Sequence, residues 1–124
     1  MRALIVGLGS IGRRHARNWA ALAAGEVWVC RQANRPQPEP LAIALREFHD
    51  LDEALAARPD AVIVTNPTSL HIETGCAALR VGAHVLVEKP LGHRLDAVSD
   101  LLTAANGSVL MVGYNLRFMP GLQR

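Results

Sequence analysis

Three glycines near the start of the chain have the spacing of a loop that holds phosphate groups. Gly7, Gly9 and Gly12 form the pattern Gly-x-Gly-x-x-Gly, which follows the apolar run 3–6 and opens a helical pattern at Ser10. Gly7 would allow a tight turn, Gly9 a close approach of backbone to a pyrophosphate, and Gly12 close helix–strand packing. The N–H groups and dipole at the helix start attract phosphates. In this strand–turn–helix context the motif predicts a dinucleotide site. The alternative is a glycine turn without a ligand. The predicted phosphate-binding residues are Gly7, Leu8, Gly9, Ser10, Ile11 and Gly12.

The residue after the second predicted strand should contact the adenosine ribose. NAD-preferring domains carry Asp or Glu there, about 20 residues past the glycines, to bond the 2′-hydroxyl. This chain has Arg31 at that point. A guanidinium can pair with a 2′-phosphate and stack on adenine. We therefore predict NADP(H) in preference to NAD(H), with Arg35 as a second candidate partner. The alternative is that Arg31 is a solvated surface arginine.

Two further loops should lie at the same edge of the sheet, because ligands of open α/β sheets bind outside the carboxyl ends of the strands. Thr65, Asn66 and Pro67 follow the fourth predicted strand and should line the cofactor. His71 falls in the first turn of the next helix, where the dipole disfavours a positive charge. His71 is therefore either a neutral hydrogen-bond donor near the nicotinamide, or a residue that caps the helix or fills a gap.

The segment Glu88-Lys89-Pro90 follows the fifth predicted strand. A lysine that is partly desolvated beside a carboxylate can hold a substrate oxygen or move a proton. A surface salt bridge is the alternative, but clustering with the other loops of this edge favours a functional Lys89.

The remaining basic side chains are not predicted to form a binding or catalytic site. His15, His49, His84 and His93 have no metal-ligand spacing, and no metal site is predicted. The group Arg13, Arg14 and Arg17 is interpreted as a solvated helix face that adds some attraction for the cofactor.

The elements that must position these loops are strands alternating with helices. The predicted strands are 3–6, 26–30, 47–50, 61–64, 83–87 and 108–112, and the predicted helices are 10–24, 41–46, 50–57 and 70–81, with a further helix whose apolar face is Leu95, Val98, Leu101, Leu102 and Ala105. Such alternation implies parallel pairing. The predicted fold is α/β and doubly wound, with a mainly parallel sheet of about six strands and helices on both faces.

Composition excludes several classes of protein. The chain has 124 residues, 50% hydrophobic and 4% aromatic, which suits one domain with helices packed on a sheet. A net charge of +2 gives no reason to expect nucleic acid. No apolar run approaches the roughly 20 residues of a membrane span, and none at the start suits a leader. Cys30 and Cys76 are interpreted as buried thiols of a reducing compartment, the cytoplasm.

The ordered blocks resemble the N-terminal half of the Gfo/Idh/MocA oxidoreductases. The blocks are the glycine loop with Arg13-Arg14-His15, Thr65-Asn66-Pro67 with His71, Glu88-Lys89-Pro90-Leu91, and 112–118. The resemblance implies a Rossmann domain that binds NAD or NADP. It also implies reversible hydride transfer between nicotinamide and a secondary alcohol, often of a sugar or cyclitol.

The same resemblance implies roles for single residues. Lys89 matches the family's catalytic lysine, and Glu88 would orient Lys89 or the nicotinamide end. The positions that match cofactor-lining residues are Asn66, Pro67 and His71, and those that match the segment near the nicotinamide and substrate are Asn115 and Arg117. Two positions depart from the pattern: Arg31 replaces the acid of NAD-using members, and Met119-Pro120 stands where His-Pro is expected.

The family's second domain, which holds most of the substrate pocket, is not represented in this sequence. Residues 1–113 are therefore predicted to be the cofactor domain, and 114–124 the start of a connection to a C-terminal substrate domain. We expect this chain to bind cofactor with little turnover and to form a homodimer. The alternatives are a non-catalytic NAD(P)-binding sensor or regulatory module, and a structural protein whose glycines serve packing.

Overall fold

Strands and helices alternate along the part of the chain that the computed structural model describes, residues 1–22, 25–34, 36, 39–95 and 97–122. In chain order the elements are β1 (Arg2–Val6), α1 (Ser10–Ala21), β2 (Glu26–Cys30), β3 (Arg46–Phe48), α2 (Leu51–Ala56), β4 (Ala61–Val64), α3 (His71–Arg80), β5 (His84–Val87), α4 (Val98–Ala105) and β6 (Leu110–Val112). Short 3-10 turns cover Thr68–Leu70, Asn115–Phe118 and Pro120–Leu122. No helix of the described residues is long and apolar enough to cross a membrane.

The strands form one sheet in the order β3-β2-β1-β4-β5-β6, and every neighbouring pair is parallel. The predicted doubly wound sheet is therefore confirmed. From β1 the chain first adds β2 and β3 on one side, and then returns to add β4, β5 and β6 on the other side, so the order of strands reverses between β1 and β4. At such a point the loops after adjacent strands diverge and leave a crevice for a ligand.

Helices cover both faces of the sheet because successive side chains of a strand point to opposite faces. Leu4 and Val6 of β1 belong to a buried cluster shared with α2, α3 and α4. Ile5, between them, belongs to a second cluster with Ala16 of α1. Strands buried on both faces explain the continuous apolar runs in the sequence.

The predicted helix over 41–46 is wrong. The described chain has no helix there, and Leu41, Ile43 and Leu45 pack partly buried against the cluster that contains Ile5. These apolar residues recur at every second position, which is the period of an extended chain and not of a helix. An extended segment therefore covers that face between β2 and β3.

The helix predicted with Leu95 on its apolar face begins later, at Val98. Leu95 is 90% exposed and Leu102 is 64% exposed, whereas Leu101 is fully buried. Helix α4 packs chiefly on α3, so it buries only a narrow stripe.

Other predicted bounds are shifted by a few residues. Strand β3 is 46–48 and not 47–50, β6 is 110–112 and not 108–112, and α3 begins at 71 after a 3-10 turn. The end predicted for the first helix at Ala24 lies outside the described residues. The capping box that opens α2 is present, since the Asp50 carboxylate accepts a hydrogen bond of 2.8 Å from the Glu53 amide.

Candidate cofactor-binding site

A cavity of about 840 Å³ opens at the carboxyl ends of β1, β2 and β4. Its described lining consists of Val6, Gly7, Leu8, Gly9, Ser10, Arg13, Arg17, Cys30, Arg31, Gln32, Pro36, His49, Leu51, Asn66, Pro67, Leu70, Glu73 and Thr74. The volume is within the usual range of about 300–1,000 Å³ for ligand sites. The cavity lies at the crevice where the sheet order reverses.

The glycine loop has the geometry that phosphate binding requires. Gly7 has φ +94°, a left-handed conformation that favours glycine, and a Cβ there would lie 2.7 Å from the Asn66 amide nitrogen. A Cβ on Gly9 would meet no atom within 4 Å, so backbone is open to the cavity at this point. A Cβ on Gly12 would collide with the Gly7 carbonyl oxygen, which shows how closely α1 packs on the loop. The loop therefore fits a dinucleotide pyrophosphate. Of the six predicted loop residues, Ile11 and Gly12 are not among the described cavity lining.

The loop after β4 braces the glycine loop and presents an acceptor to a ligand. The Thr65 hydroxyl donates to the Gly7 carbonyl at 2.6 Å and lies 3.0 Å from the Val6 carbonyl. Thr65 therefore acts within the protein and not in the described lining. Asn66 Nδ2 donates to Thr74 Oγ1 at 2.8 Å, while Asn66 Oδ1 is buried without a hydrogen-bond partner among the described residues. A buried acceptor of this kind is suited to a donor on a bound molecule.

His71 connects two of the predicted loops. Its Nδ1 lies 2.8 Å from the Pro90 carbonyl oxygen and its Nε2 lies 2.8 Å from the Asn66 carbonyl oxygen. The residue is 2% exposed and is not among the described lining. This geometry favours the gap-filling alternative, in which His71 fixes one loop to the other.

Arg31 is not a solvated arginine. Its side chain is 19% exposed, and its Nη2 lies 2.7 Å from Glu47 Oε1 on β3. Glu47 Oε1 is also 3.4 Å from His49 Nε2, and His49 Nδ1 is 3.0 Å from the Arg31 carbonyl oxygen. Arg31 lines the cavity as predicted, with its charge partly offset by Glu47. The second predicted partner, Arg35, lies outside the described residues.

The Glu88 carboxylate is held by the His15 side chain of α1 and by the backbone amide of Lys89. Glu88 Oε1 lies 2.7 Å from His15 Nε2, and Glu88 Oε2 accepts a hydrogen bond of 3.2 Å from the Lys89 backbone amide. A Cβ on Gly113 would approach Glu88 Oε2 to 3.1 Å, so a glycine at this position leaves the carboxylate room. The prediction of a partly desolvated Lys89 beside a carboxylate is wrong, because the Lys89 side chain is exposed.

The predicted residues after β6 also lie apart from the cavity. Asn115 and Arg117 belong to an exposed 3-10 turn, and Arg117 Nε donates to the Tyr114 carbonyl at 3.2 Å. The structure thus brings together the glycine loop, Arg31 and the Asn66–Pro67 loop. It does not bring Glu88, Lys89, Asn115 or Arg117 into the described lining of the same cavity.

Sequence reasoning missed Arg13. The predicted solvated face is wrong at this position, because Arg13 is only 7% exposed and lines the cavity, whereas Arg14 and Arg17 are exposed. The signal in the sequence is that Arg13 directly follows Gly12. Because Gly12 packs against the glycine loop, the next residue lies on the flank of the helix, close to the cavity.

The two cysteines are buried and unpaired, as predicted. Burial raises the pKa of the Cys30 thiol, and the nearby charge of Asp50 raises it further. Burial likewise raises the pKa of the Cys76 thiol. Among the described residues, no three His, Cys, Asp or Glu side chains are grouped to hold a metal ion. Cys30 is the cysteine that lines the cavity.

Comparisons with known proteins agree with the fold. A family model described as the Gfo/Idh/MocA oxidoreductase family, NAD-binding Rossmann fold, matches residues 1–115. UDP-N-acetylglucosamine 3-dehydrogenase of Acidithiobacillus ferrooxidans is 32% identical over 99% of this chain and 40% of its own length. Myo-inositol 2-dehydrogenase of Thermotoga maritima is 31% identical over 95% of this chain and 37% of its own length.

A solved structure supports the same relationship. The WlbA dehydrogenase of Bordetella pertussis, in complex with NADH and UDP-GlcNAcA, superposes with a TM-score of 0.85 at 28% identity, over 98% of this chain and 39% of the other. The chain thus spans about 40% of the length of the curated relatives that it matches. By its sequence, its sheet and its glycine loop, the chain belongs to the Gfo/Idh/MocA family of oxidoreductases, of which it forms the NAD-binding Rossmann domain.

Proposed function

We propose that this chain is the cofactor domain of a dehydrogenase that transfers hydride between NADP(H) and a secondary alcohol of a sugar or cyclitol. The observation that carries the proposal is the open backbone at Gly9, which faces a cavity that continues to Arg31. The named relatives include dehydrogenases of a nucleotide sugar and of myo-inositol, which supports the substrate class.

The preference for NADP(H) rests on the end of β2. No carboxylate is available at position 31 to bond a 2′-hydroxyl, and the guanidinium there lines the cavity. Glu47 holds this guanidinium in place, so a 2′-phosphate would share Arg31 with that carboxylate. NAD(H) should bind at the same loop with lower affinity.

The catalytic role is proposed for Lys89. When bound, an oxidised nicotinamide supplies the acceptor for the hydride that leaves the alcohol carbon. The Lys89 amine would hold the alcohol oxygen and take its proton. Glu88, fixed at 2.7 Å from His15, would keep the backbone of the Glu88-Lys89 turn in position. The exposure of Lys89 leaves its amine free to reach a substrate.

The substrate pocket is proposed to need more protein than these residues supply. We assign residues 1–113 to the cofactor domain and 114–124 to the start of a connection to a substrate domain. This assignment agrees with relatives that are more than twice as long. Turnover by this chain alone should be negligible. A steady-state dehydrogenase assay with sugars and inositols tests the assignment, and robust activity would contradict it.

Titration calorimetry of this chain with NADPH and NADH tests the cofactor proposal. We expect both to bind, with NADPH the tighter ligand, and each to raise the melting temperature because it binds only the folded state. Equal or tighter binding of NADH would contradict the NADP(H) preference. Absence of binding by either cofactor would contradict the whole proposal and favour glycines that serve packing alone.

A second candidate is a non-catalytic NAD(P)-binding sensor, which the position of Lys89 outside the described cavity lining favours. Substitution Lys89→Met in a protein that includes the substrate domain separates the two candidates. A dehydrogenase should lose most of its kcat and keep its affinity for cofactor, with partial recovery in Lys89→Arg. Unchanged turnover in Lys89→Met would support the sensor.

Two broader properties complete the proposal. Unpaired buried cysteines are typical of proteins in a reducing compartment, which supports a cytoplasmic location. A homodimer is proposed through the edge of the sheet at β6, where exposed apolar side chains are concentrated.

A further inference from the structure

Arg13 is a buried cation whose guanidinium is not fully used by the protein. The residue is 7% exposed, and its Nη1 is buried with no hydrogen-bond partner among the described residues. A buried unpaired donor on a charged group is costly, so an arginine in this setting calls for a ligand or another explanation. Arg13 also lines the cofactor cavity, which gives a ligand access to it.

The position of Arg13 on α1 places it on the adenosine side of the cavity. Side chains two residues apart on an α-helix point about 200° apart around its axis. His15 contacts Glu88 after β5, on one side of the sheet's centre. Arg13 therefore lies on the opposite flank of α1, towards β2, together with Cys30, Arg31 and Gln32 of the lining.

The charges at this end of the cavity favour an anion. The described lining includes the guanidinium groups of Arg13, Arg17 and Arg31, and one carboxylate, that of Glu73. Glu47 offsets the charge of Arg31, whereas no ion pair of Arg13 is found in the described part of the chain. Arg13 therefore carries the positive charge that is not offset within the described part of the protein and can attract an anionic ligand at this end. The exposed Arg17 adds to this positive charge.

We infer that Arg13 is a specificity-determining residue that binds the 2′-phosphate of the adenosine ribose. The inference rests on the proposed function and adds to it a residue outside the glycine motif. The pyrophosphate already has the open backbone of the glycine loop and the start of α1. The adenosine ribose lies at the end of β2 in folds of this kind, and a phosphomonoester there is the group that gains from a second guanidinium.

Titration calorimetry with NADPH and NADH on Arg13→Gln tests the inference. We expect the NADPH dissociation constant to rise at least tenfold and the NADH constant to change less than twofold. Arg14→Gln is the matched control, because it removes the same charge from the next position of the same helix, where the side chain is exposed. That variant should bind both cofactors within twofold of the wild type.

Two further measurements keep the test decisive. The melting temperature of free Arg13→Gln should not fall, because the buried Nη1 has no partner to lose. Arg13→Lys, which keeps the charge without the planar fork, should bind NADPH with an affinity between those of the wild type and Arg13→Gln.

The outcomes distinguish this inference from the proposed function. Equal losses for NADPH and NADH in Arg13→Gln would place Arg13 at the pyrophosphate and overturn the inference. Unchanged binding of both cofactors would show a structural arginine and overturn it as well. A wild-type chain that binds neither cofactor would contradict the proposed function itself.

Discussion

At the scale of single residues, the carboxylate of Glu47 controls how much of the Arg31 charge reaches the cavity. The two groups are 2.7 Å apart and both are largely shielded from solvent, at 19% and 26% exposure. A 2′-phosphate that approached Arg31 would meet this carboxylate too. Under the proposed function, Glu47 would therefore limit discrimination between the two dinucleotides, even though it lies outside the described cavity lining.

Substitution Glu47→Gln should strengthen NADPH binding relative to NADH by about three- to tenfold, or roughly 1 kcal/mol, the scale of a partly exposed ion pair. The amide keeps the size of the side chain but removes the competing charge. Calorimetry with both cofactors measures the ratio. Glu53→Gln, which makes the same charge change at an exposed position of α2, should leave the ratio unchanged. A ratio that stays constant in both variants would mean that Glu47 does not influence the ribose site.

Cofactor binding should protect Cys30 from alkylation and leave Cys76 unprotected. Cys30 lines the cavity, whereas Cys76 does not belong to its described lining. The pKa of both thiols is raised, so both should react slowly with iodoacetamide near neutral pH and faster as the pH rises. Mass spectrometry of the labelled peptides, with and without NADPH, measures each site separately. Equal protection of both cysteines would indicate general tightening of the fold and not occupation of the cavity.

Local pattern predicted some residues of the site and not others. The glycine loop and Arg31 could be predicted because their tasks depend on short spacing after a strand. The contact between His15 and Glu88 joins residues 73 positions apart, so no local sequence pattern can predict it. Arg13 was missed because a run of arginines resembles a solvated face until the packing of α1 is known.

At the scale of elements, the packing of α1 on β1 depends on two glycines with different tasks. A Cβ on Gly12 would collide with the Gly7 carbonyl oxygen and lie 2.8 Å from Thr65 Oγ1, whereas a Cβ on Gly9 would meet nothing within 4 Å. Gly12 therefore serves the packing of the fold, whereas Gly9 leaves open space where the proposed ligand would bind.

Substitution Gly12→Ala should destabilise the fold by about 1–3 kcal/mol, the usual cost of overpacking. Gly9→Ala should leave the melting temperature almost unchanged and weaken cofactor binding, because the added methyl group enters the space left for the pyrophosphate. Thermal unfolding and calorimetry on the two variants measure these effects. A Gly9→Ala protein that binds cofactor like the wild type would remove the glycine loop from the site.

The elements themselves were largely predictable where both faces of a strand are buried. The central runs that became β1, β2, β4 and β5 need no distant information, because their apolar residues are continuous. The helix prediction for 41–46 fails because apolar residues at every second position suit an extended chain, as the packing of Leu41, Ile43 and Leu45 shows. The residue at which α4 begins depends on how much of this helix packs against α3. No local pattern in the sequence indicates the extent of that packing.

At the scale of the whole molecule, one ion pair ties the first strand to the middle of the chain. Arg2 Nη2 lies 2.7 Å from Asp60 Oδ1, and the Arg2 backbone amide donates to Asp60 Oδ2 at 2.7 Å. Hydrogen bonds from Arg2 lower the pKa of Asp60 from 3.8 to about 2. A carboxyl whose pKa is lower in the folded state stabilises the fold above its unfolded pKa and loses that effect as the pH falls.

The stability of the wild type should therefore fall as the pH drops from about 4 to about 2, and Asp60→Asn should show a flatter profile over this range. Above about pH 4 the variant should be less stable than the wild type. Melting temperatures in a pH series measure both effects. Asp52→Asn, at an exposed position, is the control and should follow the wild type. Identical profiles for Asp60→Asn and the wild type would show that the pair is not linked to folding.

The proposed dimer is also a property of the whole molecule. Exposed apolar side chains are concentrated from the residue before β6 onwards, where Val109 is 62% exposed, Leu116 61% and Phe118 68%. Light scattering after size exclusion should show a mass that rises towards that of two chains with concentration. Phe118→Ser should shift this association to higher concentration. A monomer at every concentration would contradict the dimer.

The sheet order has a consequence for how such a protein can diverge. β2 and β3, with Arg31 and Glu47, lie on one side of β1, while β4 and β5, with the Asn66 and Lys89 loops, lie on the other. Under the proposed function, substitutions in segment 26–50 would exchange one dinucleotide for the other while the opposite half keeps the residues proposed for the reaction. Grafting this segment between relatives should transfer the choice of electron carrier without redesign of the reaction.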